Sequence, residues 1–248
     1  YVIVSAPGKR FADDIKITDS LYECYEKAVG GETADYIFEE ICARFNSIIE
    51  DLGLKLSLEK EYEAIRESLI TEFNRDYIVS RGEYLCGRIM ADYLGYDFID
   101  AASVIVFNAD GSLNSQRTNT RISEITKEHP YAVIPGFYGS YDDEKVITFS
   151  RGGSDITGAL VADAACADLY ENWTDVSGFL MASPTLIPNA EKVDCMCYRE
   201  LLQLCQFGAQ VFHADAITPL CETDIPTHIR NTNLPEQTRT MIYRKLPT

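Results

Sequence analysis

The residues best suited to chemistry lie in the stretch 149–155, FSRGGSD, which joins a β-branched run to a helical pattern. Gly152 and Gly153 let the backbone turn its N–H groups toward a ligand without obstruction from a Cβ atom. A helix predicted to begin near Ser154 adds unpaired N–H donors and the positive end of its dipole. Arg151 adds a forked cation that matches a carboxylate or a phosphate. The stretch therefore predicts an anion site, and a plain strand-to-helix turn with a capping Ser and a surface Arg is the equal alternative.

Two further loops carry polar residues after predicted strands, over 5–18 and 135–139. Loops at the carboxyl ends of parallel strands open on one edge of a sheet, so we expect all three loops to line one crevice. Glu83, near the start of another helix, is the candidate carboxylate for this crevice, although such a residue is more often a surface group that compensates the helix dipole. The segment WTDVSG over 173–178 offers a contact surface for a nucleotide, or else a capped turn.

The elements that must position these residues follow from apolar periodicity. Helical spacing predicts helices over 18–29, 33–52, 62–73, 77–94, 154–167, 198–207 and 215–221, with a short helix inside 108–127. Strands are predicted over 1–5, 98–101, 104–107, 131–134, 146–149, 169–176 and 227–231. Because strands alternate with helices, the predicted fold is α/β, a three-layer sandwich whose mostly parallel central sheet is covered by helices on both faces. We expect one domain over 1–242 and a linker beginning at 243–248.

Composition limits the partners of this chain. It carries 22 Lys and Arg against 39 Asp and Glu, a net charge of −17, which argues against a broad surface for nucleic acid or for an anionic membrane. Any bound anion must therefore be held locally. No apolar run approaches the length of a membrane helix and no leader pattern opens the chain, so the cytoplasm is the expected location. Eight cysteines without paired CxxC spacing and only three histidines predict buried free thiols and no metal site.

Eight short segments together resemble one known family. In chain order they are VSAPGKR (4–10), ITD (17–19), SRGE (80–83), IPGFYGS (134–140), SRGGSDITGA (150–159), WTDVSG (173–178), FGAQVFH (207–213) and IRNT (229–232). In this combination and order the chain resembles the catalytic domain of aspartate kinases, of the amino-acid kinase superfamily. The resemblance implies the amino-acid kinase fold and transfer of the ATP γ-phosphoryl group to the β-carboxylate of L-aspartate. The product, 4-phospho-L-aspartate, begins lysine, threonine and methionine synthesis.

The resemblance also implies a role for each matching residue. Arg151 would clamp a substrate carboxylate, while Glu83 and Asp155 would face the substrate ammonium group. The resemblance implies an ATP and aspartate site whose remaining members are Thr18, Phe137 and Ser154 for aspartate, and Gly152, Gly153, Thr174, Asp175 and Gly178 for ATP. Mg²⁺ would bridge the phosphates and take most of its ligands from them and from water, so no protein metal ligand is expected. The full protein is expected to be a homo-oligomer.

The implied reaction suits a chain that is poor in histidine. A carboxylate nucleophile is already ionised at neutral pH and needs no general base. The difficulty lies in bringing one anion onto another, so positioning and cationic stabilisation would carry the catalysis.

The chain departs from the family pattern at several places. Within residues 1–248 the Lys-Phe-Gly-Gly-Ser-Ser phosphate loop that usually follows the first strand has no counterpart, and the regulatory ACT domains of the family are not included. Leu180, Ser183 and Thr185 replace an aromatic residue and part of an Asp-Pro-Arg segment, and Gln210 replaces a common lysine. We therefore expect residues 1–248 alone to lack measurable aspartate kinase activity. Two alternatives stay open: an amino-acid kinase for another small acid, such as glutamate or carbamate, and a non-catalytic ligand-binding relative.

Overall fold

A computed structural model describes residues 1–248 except 144, 151, 176–177, 182–186, 188, 207–217, 237–239 and 247–248. The chain forms two compact units, Tyr1–Ser154 and Asp155–Thr248. We describe each unit by itself.

Four amphipathic helices build the core of the first unit. They are α1 (Ile17–Val29), α2 (Asp35–Asp51), α3 (Glu59–Thr71) and α4 (Arg75–Leu94). Their apolar faces meet in one cluster, in which Leu21, Phe45, Ile65 and Leu85 are fully buried. The predicted helices are thus confirmed, while their starts differ: Thr18 and Asp19 lie in the first turn of α1 and do not cap it, and Asn74 caps α4 by accepting the Tyr77 N–H at 3.1 Å.

A parallel three-stranded sheet carries the loops of the first unit. Its strands are β1 (Val2–Val4), β2 (Asp97–Phe98) and β3 (Ala132–Pro135), in the order β1-β3-β2. Val4 lies opposite Pro135, so the chain leaves β1 and β3 at the same edge. The prediction of an α/β fold with a parallel sheet and flanking helices is confirmed.

Three local predictions in this unit are wrong. The strand predicted over 104–107 is wrong at its start, because Ala101–Val104 forms the short helix α5, capped by the Asp100 side chain at the Ala102 N–H. Val106 and Phe107 form only isolated β-bridges, to Ser140 and Leu113. The polar stretch 108–127 holds a full helix, α6 (Ser115–Glu128), capped by Asn114. The segment 135–139 is more than a loop, since β4 (Tyr138–Tyr141) pairs antiparallel with β5 (Lys145–Thr148) in a hairpin. Neither strand of this hairpin belongs to the parallel sheet.

Helix α7 (Gly153–Ala164) crosses from the first unit into the second, where a four-stranded sheet follows. The strands are β6 (Tyr170–Thr174), β7 (Cys195–Cys197), β8 (Thr227–Asn231) and β9 (Met241–Tyr243), in the order β6-β8-β9-β7. β8 and β9 run antiparallel and the other two pairs run parallel. Tyr243, predicted to start a linker, therefore belongs to a strand. Helix α8 (Tyr198–Gln206) follows β7, and of the helix predicted over 215–221 the described part is a 3₁₀ turn, Thr218–Leu220.

The eight cysteines are free, but Cys166 and Cys195 are exposed, so the expectation of buried thiols is wrong for these two. The described residues contain no group of three His, Cys, Asp or Glu side chains arranged to hold a metal ion. No described helix is long and apolar enough to cross a membrane.

Candidate active site

The loops that follow β3 and β5 are packed directly against each other. A Cβ atom on Gly136 would lie 2.5 Å from the Cα atom of Ser154, and one on Gly153 would lie 2.6 Å from the Cα atom of Phe137. Both distances are shorter than any real contact of a Cβ atom. The two glycines therefore bring the backbone of the β3–β4 connection against the first turn of α7.

These two loops do not meet for the reason predicted from the sequence, which was that both follow strands of one parallel sheet. β5 pairs with β4 and not with the parallel sheet, so its loop does not reach the edge as the end of a parallel strand. The hairpin turns the chain back instead, and the Phe149 N–H donates to the Phe137 carbonyl at 2.9 Å. Loops 135–139 and 150–154 thus meet, although the parallel-strand rule applies only to the first of them.

Phe137 and Gly152 hold left-handed backbone conformations at this junction. Gly152 has φ 58°, which glycine adopts at little cost. Phe137 has φ 78°, which costs an L residue with a bulky side chain about 1–3 kcal/mol. The half-buried Phe137 is kept in this conformation by the packing of Gly153 beneath it. Strain of this kind is concentrated at ligand sites in proteins.

Glu83 reaches the same edge from helix α4. A Cβ atom on the neighbouring Gly82 would lie 2.8 Å from the Cβ atom of Ala6 and 3.2 Å from a methyl group of Ile17, so α4 touches both the residue after β1 and the start of α1. The Gly136 N–H donates to the Val4 carbonyl at 2.9 Å, which places the loop after β3 beside the loop after β1. Glu83 therefore stands where these two loops begin.

The carboxyl group of Glu83 is buried and incompletely satisfied. Its side chain is 5% exposed, and its Oε2 atom has no hydrogen-bond partner among the described residues. Burial raises the pKa of Glu83 to about 7, while the backbone N–H of Ala6, which donates to the carboxyl group, and the cation of Arg81 act in the opposite direction. The alternative that Glu83 is an ordinary surface residue is wrong. A buried carboxyl group with one open oxygen is suited to receive a donor from a ligand.

A buried ion pair holds the loop that leads from β1 to α1. Asp14, in the loop 5–16, accepts hydrogen bonds from the backbone N–H and the side chain of Arg10 at 2.9 Å and lies 3.4 Å from the guanidinium of Arg44 on α2. The Arg10 guanidinium and backbone N–H hold the pKa of Asp14 well below its usual range. Arg44 also donates to the carbonyl oxygens of Ile15, at 3.1 Å, and of Gly8. α2 thus fixes the loop just before Thr18, which is half-buried in the first turn of α1.

The first unit thus brings several predicted site residues to one edge. Gly152, Gly153, Ser154 and Phe137 lie at the contact of two loops, and Glu83 lies at the loop after β1. Arg151 lies outside the described residues, as do Ser183, Thr185 and Gln210.

Asp155 is engaged inside the second unit. Its Oδ1 atom accepts a hydrogen bond from the Asn172 amide at 2.8 Å, and the Tyr170 hydroxyl group lies 3.5 Å from its carbonyl oxygen. Gly158 allows this approach, because a Cβ atom there would lie 2.5 Å from the Tyr170 oxygen. Strand β6 therefore orients the Asp155 carboxylate, an arrangement that the sequence did not predict.

The segment proposed to touch a nucleotide follows the carboxyl end of β6. Thr174 lies opposite Asn231 of β8, and the Asn231 amide donates to the Asp175 carbonyl at 3.3 Å. Gly178 has φ 78°, and a Cβ atom there would lie 2.7 Å from the Thr240 hydroxyl oxygen. Thr174 and Gly178 are therefore held in place, while the Asp175 side chain is exposed.

Sequence reasoning missed a stacked pair beside this segment. The Arg230 guanidinium lies 4.3 Å from the ring centre of the half-exposed Trp173, and it also pairs with Glu171 at 2.7 Å. The register of β6 and β8 places Trp173 opposite Arg230. The motifs WTDVSG and IRNT contain both residues, but only the pairing of the two strands reveals the stack.

Residues 2–231 match the amino acid kinase family. The chain belongs to this family. It is 33% identical over 261 residues to aspartokinase 3 of Bacillus subtilis, covering 98% of this chain and 57% of the relative, and 29% identical to the chloroplastic aspartokinase 2 of Arabidopsis thaliana, of which it covers 48%. The chain therefore spans about half the length of these curated relatives.

Solved structures give the same result for the fold. This chain matches the aspartate kinase of Clostridium acetobutylicum with a TM-score of 0.92 and 43% identity, over 98% of this chain and 55% of the other. It matches Escherichia coli aspartokinase III, solved with aspartate and ADP, with a TM-score of 0.84 and 24% identity, over 100% of this chain and 58% of the other. The resemblance to aspartate kinase catalytic domains, drawn from eight motifs, is confirmed.

Proposed function

We propose that this chain is the catalytic part of an aspartate kinase, which transfers the γ-phosphoryl group of ATP to the β-carboxylate of L-aspartate. The observation that carries the proposal is the buried Glu83 carboxyl group, whose open oxygen lies at the loop after β1. The similarity to the aspartokinases of Bacillus and Clostridium supports aspartate as the acceptor, over 98% of the chain in each case.

In this proposal Glu83 receives the ammonium group of aspartate. The open Oε2 atom accepts one N–H, and the substrate cation favours the ionised carboxylate that burial alone disfavours. Ser154 and the backbone at Gly152 and Gly153 line the neighbouring junction, where the positive end of the α7 dipole suits an anion. Arg151 would clamp a substrate carboxylate there.

ATP and Mg²⁺ are the proposed cofactors. The backbone beside Thr174 and Gly178 offers a contact surface for the nucleotide at the end of β6, with Asp175 exposed next to it. In this proposal Mg²⁺ arrives with the nucleotide and keeps mainly phosphate and water ligands. Bound there, Mg²⁺ would offset the negative charge of the phosphates. The protein groups hold and orient the two anionic reactants.

An acyl phosphate assay tests the proposal. The protein, produced from its complete reading frame, is incubated with Mg-ATP and aspartate, glutamate or carbamate, and hydroxylamine traps any aspartyl or glutamyl phosphate formed. We expect turnover with aspartate. We expect Glu83→Gln to lower kcat/KM for aspartate more than 10-fold, because a hydrogen bond between charged groups contributes about 1.5–3 kcal/mol.

The exposed Glu67 on α3 provides a matched control, since Glu67→Gln makes the same chemical change away from the site. Equal kinetics in the Glu83 and Glu67 variants would remove Glu83 from the aspartate site. Turnover with another acid alone would indicate an amino-acid kinase of different specificity. Binding of aspartate without any binding of Mg-ATP would indicate a non-catalytic relative.

A further inference from the structure

A cation-lined cavity outside the proposed kinase site lies between helices α3 and α4. A cavity of about 190 Å³ is lined there by Lys60, Glu61, Ala64, Tyr77, Arg81 and Tyr84. None of these residues belongs to the proposed aspartate or nucleotide site. The cavity therefore needs an explanation of its own.

Arg81 is the unusual member of this cavity, because it is a buried cation without an ion-pair partner. It is only 5% exposed, and no described carboxylate lies within 4.0 Å of its guanidinium. The rings of Tyr77, Tyr84 and Tyr138 surround it, with centres 4.3, 4.5 and 5.1 Å from its Cζ atom. Such rings attract a cation through their quadrupoles, yet they do not neutralise its charge.

The hydrogen bonds of Arg81 leave one edge of the guanidinium open. Its Nε–H group is shared between the Tyr77 carbonyl and the Ser80 hydroxyl, at 3.1 and 3.3 Å, and Nη2 donates to the Ser80 hydroxyl at 3.0 Å. A guanidinium has five N–H groups, so the two N–H groups of Nη1 and one of Nη2 have no partner among the described residues. This edge is the one that binds an oxyanion through two parallel hydrogen bonds.

The residues that line the cavity include two cations, Arg81 and Lys60, and one carboxylate, Glu61. Lys60 is an exposed cation, and the single lining carboxylate, Glu61, is already engaged by Arg88 of α4. The Asp100 carboxylate accepts a hydrogen bond from the Tyr138 hydroxyl group at 2.7 Å, and both Asp100 and Glu72 act electrostatically on Tyr77. Neither cation forms an ion pair within the part of the chain that the structure describes, although the chain carries a net charge of −17.

We propose that this cavity binds a small oxyanion, a carboxylate or a phosphate, through the open edge of Arg81 and the ammonium group of Lys60. Two charge-assisted hydrogen bonds would come from Arg81, and the tyrosine rings would fix the plane of the guanidinium. Glu61 would lie beside the anion, and its ion pair with Arg88 would weaken its repulsion of the anion. The site is separate from the proposed kinase reaction and stands or falls independently of it.

Calorimetric titration with sodium acetate and with sodium phosphate, each compared with sodium chloride at the same ionic strength, tests the proposal. We expect saturable binding of at least one oxyanion, and the tighter of the two identifies the chemical source. Lys60→Gln should weaken this binding about 3- to 10-fold, because it removes one cation at the rim. Lys55→Gln, at an exposed lysine outside the cavity, should leave the affinity unchanged.

Arg81→Gln should abolish the binding. If this substitution of a buried residue prevents folding, the variant of the exposed Lys60 still tests the proposal. Heats that follow ionic strength alone would overturn the proposal. Equal affinities in the Lys60 and Lys55 variants would also overturn it, since any observed binding would then lie elsewhere.

Discussion

The pH dependence of stability provides a direct test of the buried Glu83. The pKa of this group rises from 4.5 to about 7 on folding, mainly because burial disfavours the charged form. Between these two values the folded chain keeps a proton that the unfolded chain has lost, so stability falls as the pH rises. At about 1.36 kcal/mol for each tenfold change in proton affinity, the loss is about 3 kcal/mol and is complete only above pH 7.

Glu83→Gln removes this titration while it keeps the shape of the side chain. Urea unfolding should show that the free energy of unfolding of the natural protein falls by about 2.5 kcal/mol more than that of the variant between about pH 5 and about pH 8.5. Other titrating groups affect both proteins equally and cancel in the difference. Parallel curves for the two proteins would refute the reasoning, because they would mean that Glu83 is hydrated and already ionised.

The raised pKa of Glu83 also predicts that substrate binding is linked to the release of a proton. If the ammonium group of aspartate pairs with Glu83, binding favours the ionised form and releases a proton near neutral pH. Calorimetry in buffers of different ionisation enthalpy should therefore detect proton release, and Glu83→Gln should abolish it.

Three further predictions concern the loops of the site. Gly136→Ala should lower the free energy of unfolding by about 1–3 kcal/mol and should also lower kcat/KM, because its Cβ atom would collide with Ser154. Gly8→Ala places a Cβ atom in open space and should change neither quantity. Arg44→Gln should raise the KM for aspartate and lower the melting temperature, because it releases two loop carbonyls; an unchanged KM would separate this loop from the substrate. Arg151→Lys should reduce kcat/KM for aspartate more than 10-fold by loss of the bidentate fork, and unchanged kinetics would place Arg151 outside the site.

The sequence by itself determined the long helices and the family. Apolar residues at helical spacing predicted α1 to α4, because each helix buries one face against the others and only that face must be apolar. Buried β-branched runs likewise predicted β1 and β3. The eight motifs indicated the aspartate kinase resemblance because their order along the chain reflects common ancestry, which requires no knowledge of contacts.

Only the tertiary structure decided the local elements that depend on distant partners. The run at 104–107 has strand-like residues, yet the Asp100 cap and the covering of α5 by β4 make its first part helical. β4 contains Gly139 and Ser140, which do not favour a strand, yet they pair with Ile147 and Val146 of β5 in a hairpin. Such choices depend on packing over long sequence separations, which periodicity does not record.

The charged residues also show which properties follow from the sequence and which depend on the tertiary structure. Composition gave a net charge of −17, but not that Glu83 is buried with an open oxygen or that Arg81 lies among three tyrosines without a counter-ion. Both residues occur within four positions of one motif, SRGE, and point to different surroundings because successive side chains of a helix face different directions. The free energy of a charge depends on solvent and neighbours within a few ångströms, and these are set by the packing of α4 against elements far away in the sequence.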